Sequence, residues 1–166
     1  MITFFSDRHA LHAPAFEFFR GERVPCFETP ARAGFVRSKV LARGHALREP
    51  EADSRGVLAL VHNARYLAFL ERAWADWVAL DPGNAARQPF PSVWPVRTLR
   101  SDVEPDNFVA RLGLYSMDNG SPLSDGTWEA AKAGADAAVS AARCLGAGER
   151  AVFCATRPPG HHAGAD

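Results

Sequence analysis

The spacing of apolar and polar positions predicts the first elements of the chain. The opening "MITFF" is short, apolar and β-prone, and a polar pair ends it as a first strand. The Phe-rich stretch that follows, up to Cys26, shows no regular period, and we expect it to be irregular. "TPARAGFVRSKVLARG" predicts a helix with Thr29 as its N-cap, Pro30 at the first helical position and Gly44 as its stop.

Two later segments have clear helical periods. "NARYLAFLERAWADWVAL" predicts a helix with one wide buried face, because its apolar residues recur at 66, 67, 69, 70, 73, 74, 77 and 78. "TWEAAKAGADAAVSAARCLGAG" predicts a helix from its N-cap Thr127 to Gly146, with small residues that would let it lie close against a sheet. The apolar run "RAVFCAT" then predicts a strand buried on both faces, as in a parallel sheet. This order of elements indicates an α/β architecture.

The segment 81–126 has a different character. Six of the 12 prolines lie in it, at 82, 89, 91, 95, 105 and 122. Aromatic residues stand between them, namely Phe90, Trp94, Phe108 and Tyr115. Long irregular stretches in compact domains are often functional or interaction loops. Two interpretations stay open, a meandering connection folded on its own domain, or a stiff loop whose rings are buried against a partner.

Composition excludes several classes of protein. The length of 166 residues suits one domain, and a hydrophobic content of 47% counts against disorder. Lys and Arg balance Asp and Glu at 19 each, which counts against a nucleic-acid-binding surface. The three cysteines are not closely paired, as expected of reduced thiols. No apolar run reaches transmembrane length. We therefore expect a cytoplasmic protein without nucleic-acid or membrane partners.

The strongest candidate chemistry lies in "ATRPPGHHAGAD", directly after the last predicted strand. In open α/β sheets, ligands bind beyond the carboxyl ends of the strands. Pro158 and Pro159 restrict the backbone and stiffen the loop as it leaves the sheet. Gly160 permits backbone angles that are closed to other residues. Together these three residues would hold His161 and His162 in a defined place.

Adjacent imidazoles can divide the work of proton transfer. If the backbone is extended there, the side chains of His161 and His162 point in different directions and meet different neighbours. One can then act as general base and the other as general acid or electrostatic partner. An exposed structural pair is one alternative. Zinc binding by both is another, although adjacent histidines rarely chelate one ion.

"RPPGHHA" resembles the active-site signature of the zinc-dependent deacetylase family, which includes histone deacetylases and acetylpolyamine amidohydrolases. "CFETPARA" resembles the family's Pro-x-Arg segment, and "LALVHNARYLAFLERAW" resembles its His-x-x-x-Tyr helix. "GTWEAAKAGADAAVSAA" resembles the helix before the histidine strand. These segments span nearly the whole chain, and the likeness is greatest to the bacterial acetylpolyamine amidohydrolase branch.

The resemblance implies a three-layer α/β/α arginase/deacetylase-type parallel sheet, of which residues 1–166 form the N-terminal half. It implies hydrolysis of a small acetylated amine to amine and acetate, with zinc activating a water while His161 and His162 move protons. The family's zinc ligands and its oxyanion-stabilising tyrosine lie downstream of the histidine pair. We therefore expect zinc in the complete enzyme, no metal ligand in this chain, and no zinc bound by this chain alone.

The resemblance also suggests roles outside the histidine loop. Arg32 matches an arginine near the catalytic floor that could hold leaving acetate, with a plain surface arginine as the alternative. Asp118 could contact a cationic substrate at the rim, but a turn residue beside Asn119-Gly120 is the interpretation that the sequence favours. The polyamine branch forms dimers through a long loop, which predicts a homodimer through 81–126.

Two functions other than deacetylation are compatible with the sequence. A non-catalytic fragment, pseudoenzyme or assembly module could use the same half-fold without the zinc ligands. An arginase-like hydrolase would share the fold class, but it fits the RPPGHH signature poorly.

Overall fold

The structure is a computed structural model that describes residues 1–96, 98, 102–120 and 122–166. The strands are β1 (Ile2–Phe4), β2 (Phe16–Phe19), β3 (Glu22–Pro25), β4 (Ala46–Arg48) and β5 (Val152–Cys154). The α-helices are α1 (Ala31–Ala42), α2 (Arg55–Leu58), α3 (Ala64–Leu80), α4 (Phe108–Leu114) and α5 (Thr127–Gly146). Two 3₁₀ turns span Asp7–Leu11 and Pro82–Ala86.

A parallel sheet of three strands forms the centre of the fold. Its order is β4-β1-β5, with Ile2 opposite Ala46 on one side and Val152 on the other. All three residues of β1 are buried, because this strand has a neighbour on each side. The α/β prediction is confirmed, and so is the prediction of a first strand at "MITFF".

Helices cover the two faces of this sheet. On one face, Ala137 and Ala141 of α5 pack against Ile2 and Phe4, so the small residues of α5 do allow the close approach that was predicted. On the other face, Ala33 of α1 packs with residues that immediately follow β1 and β5 and with one residue of β4, namely Phe5, Ala155 and Leu47. The result is the three-layer α/β/α arrangement that the family resemblance implied.

The prediction that β5 is buried on both faces is wrong in part. Val152 and Cys154 are half-buried and pack in the cluster formed with α5. Phe153, which points to the opposite face, is 40% exposed. Alternate side chains of a strand point to opposite faces. On the face of Phe153, α1 packs against β4, which lies on the far side of β1 from β5.

The Phe-rich stretch before Cys26 is not irregular as predicted. It contains the antiparallel hairpin of β2 and β3, in which Phe16 lies opposite Pro25. Arg20 and Gly21 join the two strands, and both have positive φ, at 53° and 83°. Two such residues suit the tight hairpin turns whose twist matches that of paired strands. An arginine rarely adopts this conformation, so the sequence carried only half of the usual turn signal.

The segment 81–126 is more regular than predicted. It contains the turn Pro82–Ala86 and helix α4, which Asn107 caps by accepting a hydrogen bond from the Ala110 backbone at 3.1 Å. Residues 97, 99–101 and 121 of this segment lie outside the described part of the chain.

Most of the aromatic rings in the segment pack within their own domain. Phe108 is buried with Phe69 of α3, and the ring of Tyr115 lies 4.9 Å from that of Phe69. Phe90 stacks on Phe16 of the hairpin at 5.3 Å. Phe108 is therefore buried in its own domain, and Phe90 and Tyr115 are partly covered by the hairpin and by α3, while a contact with a partner stays a prediction. Trp94 is the exception, since it remains 42% exposed.

The predicted helix ends are accurate to about one residue. Helix α3 has Asn63 as its N-cap, whose side chain accepts from the Arg65 backbone at 2.9 Å. Helix α1 begins after Pro30 rather than after Thr29. Helix α5 includes Thr127, and its N-cap is Gly126. Within the part of the chain that the structure describes, no helix is long and apolar enough to span a membrane.

Candidate active site

The histidine loop begins where β5 ends. Its Ala163 backbone donates a hydrogen bond to the Gly160 carbonyl at 3.0 Å, which makes His161 and His162 the central residues of a turn. Both histidines are exposed, and their ring centroids are 4.1 Å apart with planes inclined at 48°. The backbone at the pair is a turn and is not extended, so the condition under which the two rings would point in different directions does not hold. The turn places them side by side.

This arrangement suits proton transfer to or from a small molecule bound next to the exposed rings. A neutral imidazole can accept a proton, and a protonated imidazole can donate one. Because the two rings are adjacent and exposed, both can reach the same small molecule. Pro158 and Pro159 precede them, with a cis peptide bond between Arg157 and Pro158.

A buried arginine lies at the base of this loop. Arg157 follows β5 closely, and its Nη1 donates to the backbone carbonyls of His9 at 2.5 Å and His12 at 2.7 Å. Its Nε and Nη2 donate to the carboxylate of Glu28 at 2.9 and 2.6 Å. One guanidinium thus joins the end of β5, the first 3₁₀ turn and the segment that leads into α1. In the sequence Arg157 stands out only as part of the RPPGHH motif, and no local pattern indicates these contacts.

Two buried histidines surround the arginine. The Nδ1 atom of His12 lies 2.9 Å from Thr127 Oγ1, and burial, reinforced by the Arg157 charge, lowers the pKa of His12 to about 4. The pKa of His9 is lowered by the same two causes, burial first. Both side chains are therefore neutral at neutral pH. Among the described residues, His9 Nδ1 has no hydrogen-bond partner, and its ring packs edge-on against Phe5 at 5.1 Å.

The segment after the histidine pair is held by the start of α3. His62 Nδ1 donates to the Gly164 carbonyl at 2.8 Å, and the Asn63 backbone donates to the Ala165 carbonyl at 2.6 Å. The His62 ring also lies 5.5 Å from Tyr66, whose pKa is raised by burial. The turn with the two histidines is consequently fixed on both sides, by Arg157 before it and by these contacts after it.

The structure shows no contact between the other predicted site residues, Arg32 and Asp118, and the histidine rings among the residues that it describes. Arg32 is exposed and pairs with Glu28 at 3.1 Å, and Glu28 in turn binds Arg157. Asp118 is exposed, and its Oδ1 accepts from the Gly120 backbone at 2.7 Å. This bond is a local turn contact, as the sequence favoured for Asp118.

The described residues do not fit a metal centre. Across 1–96, 98, 102–120 and 122–166, no group of three or more His, Cys, Asp or Glu side chains could hold a metal ion. Protein zinc sites use at least three protein ligands. His161 and His162 alone therefore do not make a complete zinc site.

A parallel sheet between helices, with paired histidines beyond the carboxyl end of a strand, defines an α/β protein with a candidate site for proton transfer. Residues 23–166 match the histone deacetylase domain, and the chain belongs to this family.

The chain resembles several bacterial relatives along its whole length. It is 42% identical to acetylpolyamine amidohydrolase 2 of Pseudomonas aeruginosa, covering 100% of this chain and 47% of that protein. It is 36% identical to the acetylpolyamine amidohydrolase of Mycoplana ramosa, covering 100% of this chain and 48% of that protein. The crystal structure of acetylpolyamine aminohydrolase from Burkholderia pseudomallei superposes on this chain with a TM-score of 0.85 at 30% identity. The match covers 98% of this chain and 46% of that chain. The chain thus spans about half the length of the relatives it matches.

Proposed function

We propose that the protein carrying this chain hydrolyses a small acetylated amine to the free amine and acetate. The exposed imidazole pair of His161 and His162, placed at the end of β5 in a chain of the histone deacetylase family, supports this proposal. The matched relatives carry the name acetylpolyamine amidohydrolase, so acetylated polyamines are the first substrates to test. A cytoplasmic location is part of the same proposal.

The histidine pair supplies the proton transfers that this reaction needs. Water adds to the amide carbonyl carbon as one imidazole accepts its proton. The carbon–nitrogen bond then breaks, and an imidazolium donates a proton to the leaving amine, which would otherwise depart as a strong base. Two adjacent exposed rings, 4.1 Å apart, let one site serve both steps.

Two further roles belong to the same proposal. The family resemblance implies zinc, which would polarise the amide carbonyl. Since the described residues do not fit a zinc site, no role in holding zinc is proposed for them. Arg32, which is exposed and pairs with Glu28, is proposed to hold leaving acetate. Asp118 is proposed as a rim contact for a cationic substrate only if its turn bond to Gly120 opens.

The experiment uses the complete protein that contains this chain. Replacing His161 or His162 by Ala should lower turnover of an acetylated diamine by about 10²–10⁴-fold, the usual effect of removing a positioned acid–base group. Bound zinc should be unchanged in both variants. His45→Ala, between α1 and β4, is the matched control and should retain full activity. Wild-type turnover in both histidine variants would contradict the proposal, and loss of zinc would instead favour a ligand role.

A non-catalytic half-fold is the second candidate function. It is favoured by one observation, the absence of a metal-binding group among the described side chains. A complete protein that is folded, binds no zinc and does not hydrolyse acetylated amines would support this alternative.

We also propose that the complete protein forms a homodimer through the segment 81–126. After the inward-packing rings are set aside, the proposal depends on Val93, Trp94 and Val96, which are all exposed. Trp94→Ala should lower the molar mass measured by light scattering from that of a dimer to that of a monomer. Leu60→Ala, at a residue 83% exposed elsewhere, should not. A Trp94→Ala protein that stays dimeric would count against this interface.

A further inference from the structure

A buried guanidinium, that of Arg157, lies at the base of the histidine loop. We propose that Arg157 is a positioning residue, which fixes the place and direction of His161 and His162 by tying the end of β5 to two other segments. The inference rests on the proposed function for what the histidines do, but its structural content can be tested separately.

Burial of the Arg157 charge is the first argument. The residue is 3% exposed, and a buried charge is costly unless it is paired and hydrogen-bonded. Glu28 supplies the opposite charge through contacts of 2.6 and 2.9 Å to Nη2 and Nε. The carboxylate is itself only 20% exposed, so solvent weakens this pair little. Such a pair holds its two segments in one geometry.

The shape of the contacts is the second argument. While Nε and Nη2 face the carboxylate, Nη1 donates to the carbonyls of His9 and His12. A planar guanidinium presents its donors in a fixed fork, whereas a lysine ammonium is a single point charge on a flexible chain. Lysine at this position could retain the ion pair, but it could not keep both sets of bonds in the same geometry. The three joined segments therefore require arginine specifically.

The stiffness of the following residues is the third argument. Pro158 and Pro159 come directly after Arg157, and their rings restrict the backbone. Only one more residue, Gly160, separates them from His161. A displacement of Arg157 is therefore passed to the imidazoles along a short segment with few free torsions. Misplacement of catalytic groups by about 1 Å can cost about a hundredfold in rate.

The test compares substitutions of the same kind at a buried and an exposed ion pair in the complete protein. Arg157→Lys replaces the buried guanidinium at the base of the histidine loop. Arg55→Lys replaces the guanidinium of the exposed pair between Arg55 and Glu71. Turnover of an acetylated diamine by Arg157→Lys should fall tenfold to a hundredfold, about the range for misplaced groups, while KM changes less than about twofold. Arg55→Lys should behave as wild type. Circular dichroism gives the folded fraction of each protein, to which kcat is normalised.

A second measurement does not depend on activity. Ring signals of His161 and His162 in ¹H–¹³C spectra, assigned from their Ala variants, should shift in Arg157→Lys while those of His45 stay in place. If the wild-type protein lacks deacetylase activity, the proposed function fails and these spectra still decide the role of Arg157. If Arg157→Lys does not fold, Glu28→Gln, which removes the countercharge and keeps the side-chain shape, is measured in the same way.

Unshifted histidine signals in the folded variant would overturn the inference. A fall in kcat that matches the loss of folded protein would do so as well, because it would show that Arg157 only stabilises the fold.

Discussion

At the scale of the residue, the region beneath the histidine loop combines a buried cation with two neutral histidines. Arg157 lowers the pKa of both His9 and His12, although burial of each ring is the larger cause. Glu28 acts in the opposite direction on both. His12 is therefore held as a neutral hydrogen-bonding group beside Thr127, and protonating it would place a second positive charge near the guanidinium.

The low pKa of His12 predicts a loss of stability in acid. In the unfolded chain its pKa is near 6.5, and in the folded protein it is about 4. Between these values the unfolded state binds more protons, so the free energy of unfolding falls as the pH drops from about 6.5 to about 4. The loss attributable to His12 is at most roughly 3 kcal/mol.

Urea denaturation at pH 7 and pH 4.5 measures this effect. His12→Asn, whose amide can replace the contact to Thr127 without titrating, should show a smaller loss between the two pH values than wild type. His45→Asn should lose as much stability as wild type. An equal loss in His12→Asn and wild type would show that other groups account for the acid sensitivity.

At the scale of the element, the features that the sequence predicted are those with local causes. Helices α3 and α5 follow from apolar periodicity, and β1 and β5 from short apolar runs bounded by polar residues. Helix α4 has seven residues, too few for a clear period within a Pro-rich segment. Its position depends instead on packing against α3, which no local pattern records.

The candidate site likewise has one part that the sequence predicted and one part that it did not. The position of the histidine loop after a strand follows from the order of elements, and it was predicted. The contacts of Arg157 with Glu28, His9 and His12 join residues 129, 148 and 145 positions apart in the sequence. They exist only because β1 and β5 are neighbours in the sheet, and a single sequence does not state that pairing. The turn that brings the histidine rings together is likewise visible only in three dimensions.

The N-cap of helix α5 is Gly126, and two features of its surroundings favour glycine there. Gly126 has a φ of +76°, and a Cβ there would lie 2.6 Å from Leu11 Cβ and 3.0 Å from the Leu11 carbonyl oxygen. Gly44, after α1, has a similar φ of +70° but open space around it. Gly44→Ala should therefore cost only the strain of the left-handed backbone, roughly 1–2 kcal/mol.

Gly126→Ala should cost this strain plus the clash with Leu11, at least about 1 kcal/mol more than Gly44→Ala. Urea midpoints at unchanged slope give both free energies of unfolding. Equal losses at the two sites would mean that the first 3₁₀ turn moves aside at little cost, and that the contact between this turn and α5 is loose.

At the scale of the whole molecule, the sheet presents β5 at one edge. Within the described residues, the strand paired with β5 is β1, on one side only, and Phe153 is partly exposed on the face opposite α5. An unpaired strand edge with exposed apolar side chains is a template for association with another chain. The strand at the other edge, β4, ends in Arg48, whose exposed charge disfavours pairing with another chain.

The open edge of β5 predicts that the chain associates with itself. The 166-residue chain, prepared alone, should associate with itself as its concentration rises, because β5 can pair with a second copy. Phe153→Lys places a charge beside the edge and should reduce the weight-average mass measured by sedimentation equilibrium. Phe35→Lys is the control, since Phe35 is 76% exposed on α1 and lies away from β5 in the sheet order. If Phe35→Lys reduces association as much as Phe153→Lys does, then exposed apolar surface in general, rather than the open edge of β5, drives the contact between chains.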